Sequence, residues 1–355
     1  MPDAAALRQA PDPDLWTARV HVDNRTIFQV ICYGRGTVQN VETDILGSGY
    51  LRRTFDLGSD DEGPVVATLV SRPAPRSTGR AVLYVHGYAD YFFQAHLADY
   101  YVERGIHFYA LDLRKYGRSL LPHQTPNFVR DIREYFPEID AAVKTIRSED
   151  GHERLLLNAH STGGLVAALW AHHTRADAPV DAIFLNSPFF EFNVNRMTRQ
   201  TVGSLYDVIS RFRPYARLPL GLSTAYGHSI HVDHHGEWEF ETTWKPIVGI
   251  PVRAAWLTAI RAAHAQLRAG LDIQVPVLVA CSTRSYRKPI WSEAAMSADA
   301  VLDVEHIAAY ACRLGRHVTL VRIDGGLHDL VLSAPPVREK VFAELDHWLD
   351  AYLPG

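Results

Sequence analysis

The sequence predicts an α/β protein, a mostly parallel sheet covered by helices on both faces. Three observations predict it. Short apolar runs alternate with helical patterns from residue 81 onward. One of these runs, Leu155-Leu156-Leu157-Asn158, stops at a sharp turn with a helical pattern directly behind it. A last strand-like run, Val318–Ile323, is followed by one terminal helix. Strands covered on both faces read as continuous apolar runs, and helices are the usual crossovers between parallel strands.

In chain order, residues 1–40 read as a loosely packed N-terminal lead-in segment, with Pro11 and Pro13 among residues of mixed polarity. Within residues 50–70, two strand-like runs flank Gly58-Ser59-Asp60-Asp61-Glu62-Gly63, an acidic, glycine-bounded turn, so a hairpin is expected there. Residues 81–85 then read as a strand, 94–104 as a helix ended by Gly105, 107–111 as a strand and 129–148 as a helix. Residues 155–158 form the strand before the sharp turn. Residues 182–185, 277–280 and 318–323 are further strands, and the final helix spans about 337–352. The alternation breaks between residues 187 and 251. There Val202, Leu205, Tyr206, Ile209 and Phe212 recur at helical spacing, followed by a loop rich in proline, aromatics and histidine. Residues 191–251 are therefore read as a cap inserted over the C-terminal edge of the sheet, where open α/β sheets bind ligands. Residues 41–190 and 252–355 make the core.

Composition narrows the function classes. A hydrophobic content of 47% with 10% aromatics supports a globular core, leaving disorder to the ends. The 36 basic and 40 acidic residues are interspersed, which excludes nucleic acid or an anionic membrane as the expected partner. No apolar run approaches the roughly 18 residues of a membrane span, so no integral membrane segment is expected. Met1-Pro2-Asp3-Ala4-Ala5-Ala6 lacks the basic and apolar stretches of a secretory signal. Three cysteines, Cys32, Cys281 and Cys312, are far apart and odd in number. That argues for a reducing compartment, and a cytoplasmic protein is expected.

The chemistry starts at Ala159-His160-Ser161-Thr162-Gly163-Gly164. A serine between strand and helix stands proud of the sheet edge, with the free N–H groups and partial positive charge of the helix N-terminus beside it. Small residues two before and two after it suit a strained turn, the G-x-S-x-G elbow with Ala159 in the first glycine position. A serine nucleophile needs a base, and the base an orienting acid. His328, on the glycine-loosened loop Asp324-Gly325-Gly326-Leu327-His328 after the last strand, is the expected base. The acid is open at this point. Cys281-Ser282-Thr283-Arg284-Ser285, after the preceding strand, holds no carboxylate. Asp299 and Asp303 follow a longer loop, with Glu293 and Glu191 behind them as candidates. Whichever carboxylate is not the acid is expected to satisfy free N–H groups at a helix start. Two backbone donors should line an oxyanion hole: Thr162, after the nucleophile, and Tyr88, in His86-Gly87-Tyr88-Ala89-Asp90. His86 is expected to bond its own loop, and His160 to turn away from the serine.

His86-Gly87-Tyr88, Asp112-Leu113-Arg114-Lys115-Tyr116-Gly117-Arg118-Ser119, Ala159-His160-Ser161-Thr162-Gly163, Asn186-Ser187-Pro188 and Ser297-Ala298-Asp299 stand in the order seen in α/β-hydrolases. The chain resembles their monoacylglycerol lipase, lysophospholipase and serine aminopeptidase branch over about residues 50–190 and 252–355. The resemblance implies an α/β-hydrolase fold with an inserted cap, Ser161 as nucleophile, His328 as base, and Tyr88 and Thr162 as oxyanion donors. It favours Asp299 as the acid, because Ser-Ala-Asp is similar to the family's acid motif. The departures are Ala159 for glycine, Lys115-Tyr116 where the family often has Gly-His, and the long loop before the acid.

The expected activity is hydrolysis of a carboxylic ester, without cofactor, on a small-molecule or lipid-like substrate. An apolar acyl or aryl group would fit the aromatic residues Phe189, Phe190, Phe192, Tyr206, Phe212, Trp238 and Trp244. The same machinery could serve an aminopeptidase or amidase, which needs an acidic anchor such as Glu191, Asp233, Glu237 or Glu239. A non-catalytic hydrolase-fold binding protein is the third reading. His228, His231, Asp233, His234, His235 and Glu237 are dense, but their spacing is not that of a metal site, and none is expected. Gly34-Arg35-Gly36 and Gly47-Ser48-Gly49 lack the third glycine of a dinucleotide fingerprint and read as turns.

Overall fold

A computed structural model of the chain describes residues 15–20, 28–33, 41–193, 203, 206–220, 223–288 and 290–354. The chain divides into two units, residues 1–41 and 42–355. In the first, β1 (Leu15–Val20) pairs antiparallel with β2 (Phe28–Tyr33), Leu15 opposite Tyr33. The lead-in segment thus contains a strand pair that its mixed polarity did not announce.

The second unit is built on a nine-stranded sheet. Its strands are β3 (Val41–Thr43), β4 (Leu51–Asp60), β5 (Gly63–Arg72), β6 (Arg80–Val85), β7 (His107–Asp112), β8 (Arg154–His160), β9 (Ala182–Asn186), β10 (Val277–Ser282) and β11 (Val318–Ile323). Across the sheet they lie in the order β11-β10-β9-β8-β6-β7-β5-β4-β3. From β11 through β7 every pairing is parallel, whereas β5 runs antiparallel to both β7 and β4. Open and mixed, with six parallel strands from one edge and the antiparallel strands at the other, this is the mostly parallel sheet predicted.

Side-chain alternation sorts the core into two layers. Leu155, Leu157 and Ala159 of β8, with Ala81, Leu83 and Val85 of β6, face α2 (Phe136–Lys144), α3 (Thr162–His173), α5 (Ala254–Ala269) and α6 (Val304–Ala311). Leu156 of β8 and Val82 and Tyr84 of β6 face α1 (Ala95–Glu103) and α7 (Pro335–Tyr352). A short helix, α4 (Thr224–Ile230), lies in the stretch between β9 and α5. Each wholly buried leucine or phenylalanine in these layers contributes about 2 kcal/mol relative to exposure. No helix among the described residues is long and apolar enough to cross a membrane.

Several boundaries differ from expectation for local reasons. The hairpin is tighter than its glycines imply: β4 runs through Gly58 with a bulge between Asp56 and Ser59, leaving Asp61-Glu62 to turn. The acidic turn also has a partner, since Glu62 meets the buried Lys115 ammonium at 2.6 Å. The helix expected from residue 129 starts at Ile132, where Asp131 and Glu134 form a capping box. Pro335-Pro336 open α7 ahead of the expected residue 337, as proline favours the first helical turn. Of the residues expected at helical spacing, Val202 and Leu205 lie outside the described residues, whereas 206–212 is helical and Phe212 is exposed.

Candidate active site

β8 ends at His160, and Ser161 bends the chain directly into α3 with φ 51° and ψ −117°. A non-glycine residue at such angles is strained and persists only where its surroundings hold it. Its N–H donates to the Asn186 carbonyl (3.0 Å), and its carbonyl accepts from Gly164 (2.9 Å) and Phe189 (2.9 Å). The small residues around it have distinct reasons. A methyl on Gly163 would stand 2.3 Å from the His86 carbonyl oxygen, so only glycine lets α3 press against the end of β6. Gly87 is a tighter-than-usual fit rather than a clash, since a Cβ there would fall 3.1 Å from that of Ser161. Ala159 sits inside β8, where a methyl is simply buried.

His328 lies on the loop after β11, and its Nε2 is 2.9 Å from Ser161 Oγ. Its Nδ1 is 2.9 Å from Asp299 Oδ2. A carboxylate can only accept, so Nδ1–H donates to Asp299 and Nε2 is left to accept the serine O–H. The other Asp299 oxygen accepts the N–H groups of Val301 and Leu302, both at 2.8 Å. All three side chains are buried. The long loop after β10 reaches this point by folding back on itself: Asp299 N–H donates to the Arg284 carbonyl (2.9 Å) and Tyr286 N–H to the Asp299 carbonyl (2.7 Å). Asp299 is thereby returned to the end of β10, although residues 283–298 separate the two in sequence.

Asp303 is placed elsewhere. It caps α6, accepting from Glu305 N–H (3.2 Å), and pairs with Arg287 (2.6 Å). The helix begins at Val304, so the apolar residues 300–302 precede it rather than form its first turn. Glu293 is exposed at the start of a short 3₁₀ turn, and Glu191 is buried against Arg268 at 2.8 Å. Neither is among the groups hydrogen-bonded to His328.

On the other side of Ser161, β6 leads into His86-Gly87-Tyr88-Ala89-Asp90. His86 binds this loop together, Nε2 accepting from Leu113 N–H (3.0 Å) and Nδ1 meeting the Gly87 carbonyl (2.8 Å). Neither the Tyr88 nor the Thr162 N–H donates a hydrogen bond to another described residue. Ala89, directly after Tyr88, takes φ 49°. An alanine there costs about 1–2 kcal/mol. Asp90 is fully buried and meets Lys245 Nζ at 2.7 Å. Its other oxygen lies 3.4 Å from His160 Nδ1. Burial alone would raise the Asp90 pKa, but the Lys245 ammonium and the His160 imidazole hold it well below the usual carboxylate range. Burial opposes a charge on His160, yet the Asp329 and Asp90 carboxylates outweigh it and raise its pKa. His160, expected to turn away from the serine, lines the cavity, its ring centroid 4.9 Å from that of His328.

Ser161 and His328 open on a cavity of about 710 Å³, with Asp299 buried behind the histidine. Of the predicted aromatic set, Phe189, Phe192 and Tyr206 line it, while Phe190 is core and Trp238 and Trp244 pack beyond it. Trp256, Ile230, Phe240 and Ile247 also line it and were not anticipated. Helical periodicity within α5 was the available signal for Trp256. Asp329 was passed over as well. Buried beside His328, it accepts from Asn186 (2.7 Å) and Gln94 (3.1 Å) and so anchors the histidine loop. The histidine-rich stretch packs partly by stacking, His228 on His234 at 4.3 Å and His235 on Trp291 at 3.4 Å.

A family model described as serine aminopeptidase, S33, matches residues 76–334. No curated protein matches the sequence. Among solved structures, a soluble variant of monoglyceride lipase from Saccharomyces cerevisiae, in complex with a substrate analog, is similar with TM-score 0.60. It is 15% identical, with 90% of this chain and 98% of that one covered. Monoacylglycerol lipase from Paleococcus ferrophilus gives TM-score 0.57 at 17% identity, covering 85% of this chain and 98% of that one. Est1E from Butyrivibrio proteoclasticus with bound ferulic acid gives 0.53 at 14%, covering 85% of this chain and all (100%) of that one. At such identities the likeness is one of fold, and the fold is that of the α/β-hydrolases.

Proposed function

This chain belongs to the family described as serine aminopeptidase, S33, and we propose that it is a serine hydrolase cleaving carboxylic esters through an acyl-enzyme on Ser161. The observation that carries the reading is the buried chain of hydrogen bonds from Ser161 Oγ through His328 to Asp299. His328 Nε2 takes the serine proton as Oγ attacks the ester carbonyl. Asp299 holds the Nδ1–H tautomer and stabilises the imidazolium that forms. The Tyr88 and Thr162 N–H groups receive the developing oxyanion, each worth about 3 kcal/mol in the transition state. His328 then protonates the leaving alcohol, and water activated by the same imidazole releases the acid. Residues 191–251 serve as a cap over this site. The three widely spaced cysteines fit a reducing compartment, and we assign the reaction to the cytoplasm.

The cavity supports an apolar, lipid-like acyl or aryl ester. It favours an ester over an aminoacyl substrate for a specific reason. An amine would need an acidic anchor, and among the described residues lining the cavity Asp90 is the one carboxylate, already tied to Lys245. Glu191 pairs with Arg268 and Glu237 with Arg338, and Asp233 and Glu239 are exposed; none of the four lines the cavity. The test is a chain-length series of p-nitrophenyl esters against aminoacyl anilides, with Ser161→Ala as blank and fluorophosphonate labelling alongside. Esters should outpace every anilide and labelling should vanish in Ser161→Ala. Anilide turnover exceeding that of every ester would replace this reading with the aminopeptidase one, and an unlabelled wild type would leave only a binding protein.

A further inference from the structure

Among the described residues, Lys245 is the one lysine in the cavity wall with its side chain buried, and it comes from the stretch overlying the site rather than from the sheet. Its ammonium is caged by Phe93, Tyr226 and Phe240, whose ring centroids lie 5.6, 5.6 and 5.7 Å away. Such faces attract a desolvated cation and fix where it sits. The ammonium is aimed at Asp90 Oδ1, 2.7 Å away. Asp90 stands two residues after Tyr88, and the residue between them, Ala89, is held in the left-handed region at φ 49°. A strained alanine keeps that conformation only if both flanks are fixed. One flank is the Tyr88 ring, packed on Trp256 with centroids 4.2 Å apart. The other is Asp90, pinned by Lys245, with His160 Nδ1 3.4 Å from its second oxygen.

We propose that Lys245 is a positioning residue for ester hydrolysis: through Asp90 it fixes the loop that presents the Tyr88 N–H to the reacting carbonyl. The proposal rests on the serine-hydrolase reading above. Without the ammonium, Asp90 keeps a buried carboxylate with no cation on Oδ1. The loop then relieves that carboxylate by letting Ala89 leave the left-handed region, which re-aims the stretch from Gly87 to Asp90. The oxyanion contact is strongest in the transition state, so its misplacement lowers kcat and leaves substrate affinity nearly unchanged. The overlying stretch has separate attachments that survive the loss of Lys245. Glu241 N–H donates to Tyr91 Oη (2.7 Å), Trp238 Nε1 to the Leu332 carbonyl (2.8 Å), and Phe240 packs on Phe93.

The full-length chain is tested as Lys245→Met, Lys245→Arg and the double variant Lys245→Met/Asp90→Asn. The readouts are kcat and KM on the best p-nitrophenyl ester, the rate of Ser161 phosphonylation by a fluorophosphonate, and Tm. Lys245→Met should lower kcat and the phosphonylation rate by roughly 10- to 100-fold with KM within about threefold, and Lys245→Arg should recover most of the loss. The double variant removes both charges and so carries no buried unpaired ion. It should melt near the wild type yet still show the kcat loss. A double variant with kcat within about threefold of wild type would overturn the proposal, as would a Lys245→Met protein whose folded fraction is fully active. If the wild type is phosphonylated but hydrolyses no ester, the ester reading fails while the tether is still judged by the phosphonylation rates. If the wild type does neither, both fall together.

Discussion

Replacing Asp299 by asparagine tests the charge relationship at His328 without changing shape. Asp299 Oδ1 accepts two backbone N–H groups, from Val301 and Leu302, both at 2.8 Å. An asparagine must keep its carbonyl oxygen there, because an amide NH₂ facing two N–H donors would leave all of them unsatisfied. Its NH₂ therefore faces His328 Nδ1, where Oδ2 now stands at 2.9 Å. The imidazole can meet a donor only by carrying its own proton on Nε2. That proton then points at Ser161 Oγ, and the base is gone. Loss of the tautomer and of the stabilised imidazolium should lower kcat by about 10⁴, equivalent to about 5.4 kcal/mol of barrier at 1.36 kcal/mol per tenfold. Asp303→Asn is the matched control. Asparagine caps a helix about as well as aspartate, and the Arg287 partner is largely exposed, so kcat should stay within about twofold. The assay is kcat on a p-nitrophenyl ester, with Tm recorded for each variant. Asp299→Asn retaining kcat within tenfold of wild type, or Asp303→Asn losing as much as Asp299→Asn, would refute the assignment of the acid.

Two further outcomes follow from the scaffold. Gly163→Ala puts a methyl 2.3 Å from the His86 carbonyl oxygen and 2.6 Å from that of Val85, both backbone atoms. Overpacking of that kind should cost about 3 kcal/mol or more and shift Ser161, read as a lower Tm together with lost fluorophosphonate labelling; a variant that melts and labels like wild type would show the contact to be soft. His152 concerns pH. Burial, with the His107 imidazole adding to it, pushes its pKa down to about 4 from 6.5. Between those values the unfolded chain binds more protons than the folded one, so stability present above pH 6.5 is lost as the pH falls toward 4. The urea midpoint should drop between pH 7 and pH 5, and His152→Gln should flatten the drop. Equal slopes in the two proteins would remove His152 as the cause.

Legibility in the sequence followed burial. Strands covered on both faces, such as β8, are continuous apolar runs and stand out, whereas β3 is three residues long, all exposed, and has no pattern to read. α5 is a different case. Trp256, Ile260, Ala263 and Leu267 recur at helical spacing, but Ala254, Ala255, Ala259, Ala262, Ala265 and Ala269 surround them and blur the contrast between faces. A boundary moved where a side chain decided it, as Asp131 did for the helix leading into α2.

The site divides along another line. Ser161 and His328 each sit in a local signature, a strand-turn-helix and a glycine-loosened loop after the last parallel strand, and local signatures survive in one dimension. The carboxylate facing His328 does not have one. What identifies Asp299 is the return of a long loop to the end of β10, closed by the backbone bonds between Asp299, Arg284 and Tyr286. Asp303, followed at once by a helix, carries the stronger local pattern, and that pattern is the one for a cap. Asp90 and Lys245 lie further still from legibility, since an acid in a glycine loop and a lysine in Thr-Thr-Trp-Lys-Pro both read as solvent-facing. In an open parallel sheet, every loop at the C-terminal edge is brought to the same place whatever its distance along the chain. Pairings between such loops are therefore set by the lengths and packing of the crossovers, which periodicity does not encode. The groups that do chemistry on a strand end can be found by reading. The groups packed around them, brought together by loops far apart in the chain, have to be seen.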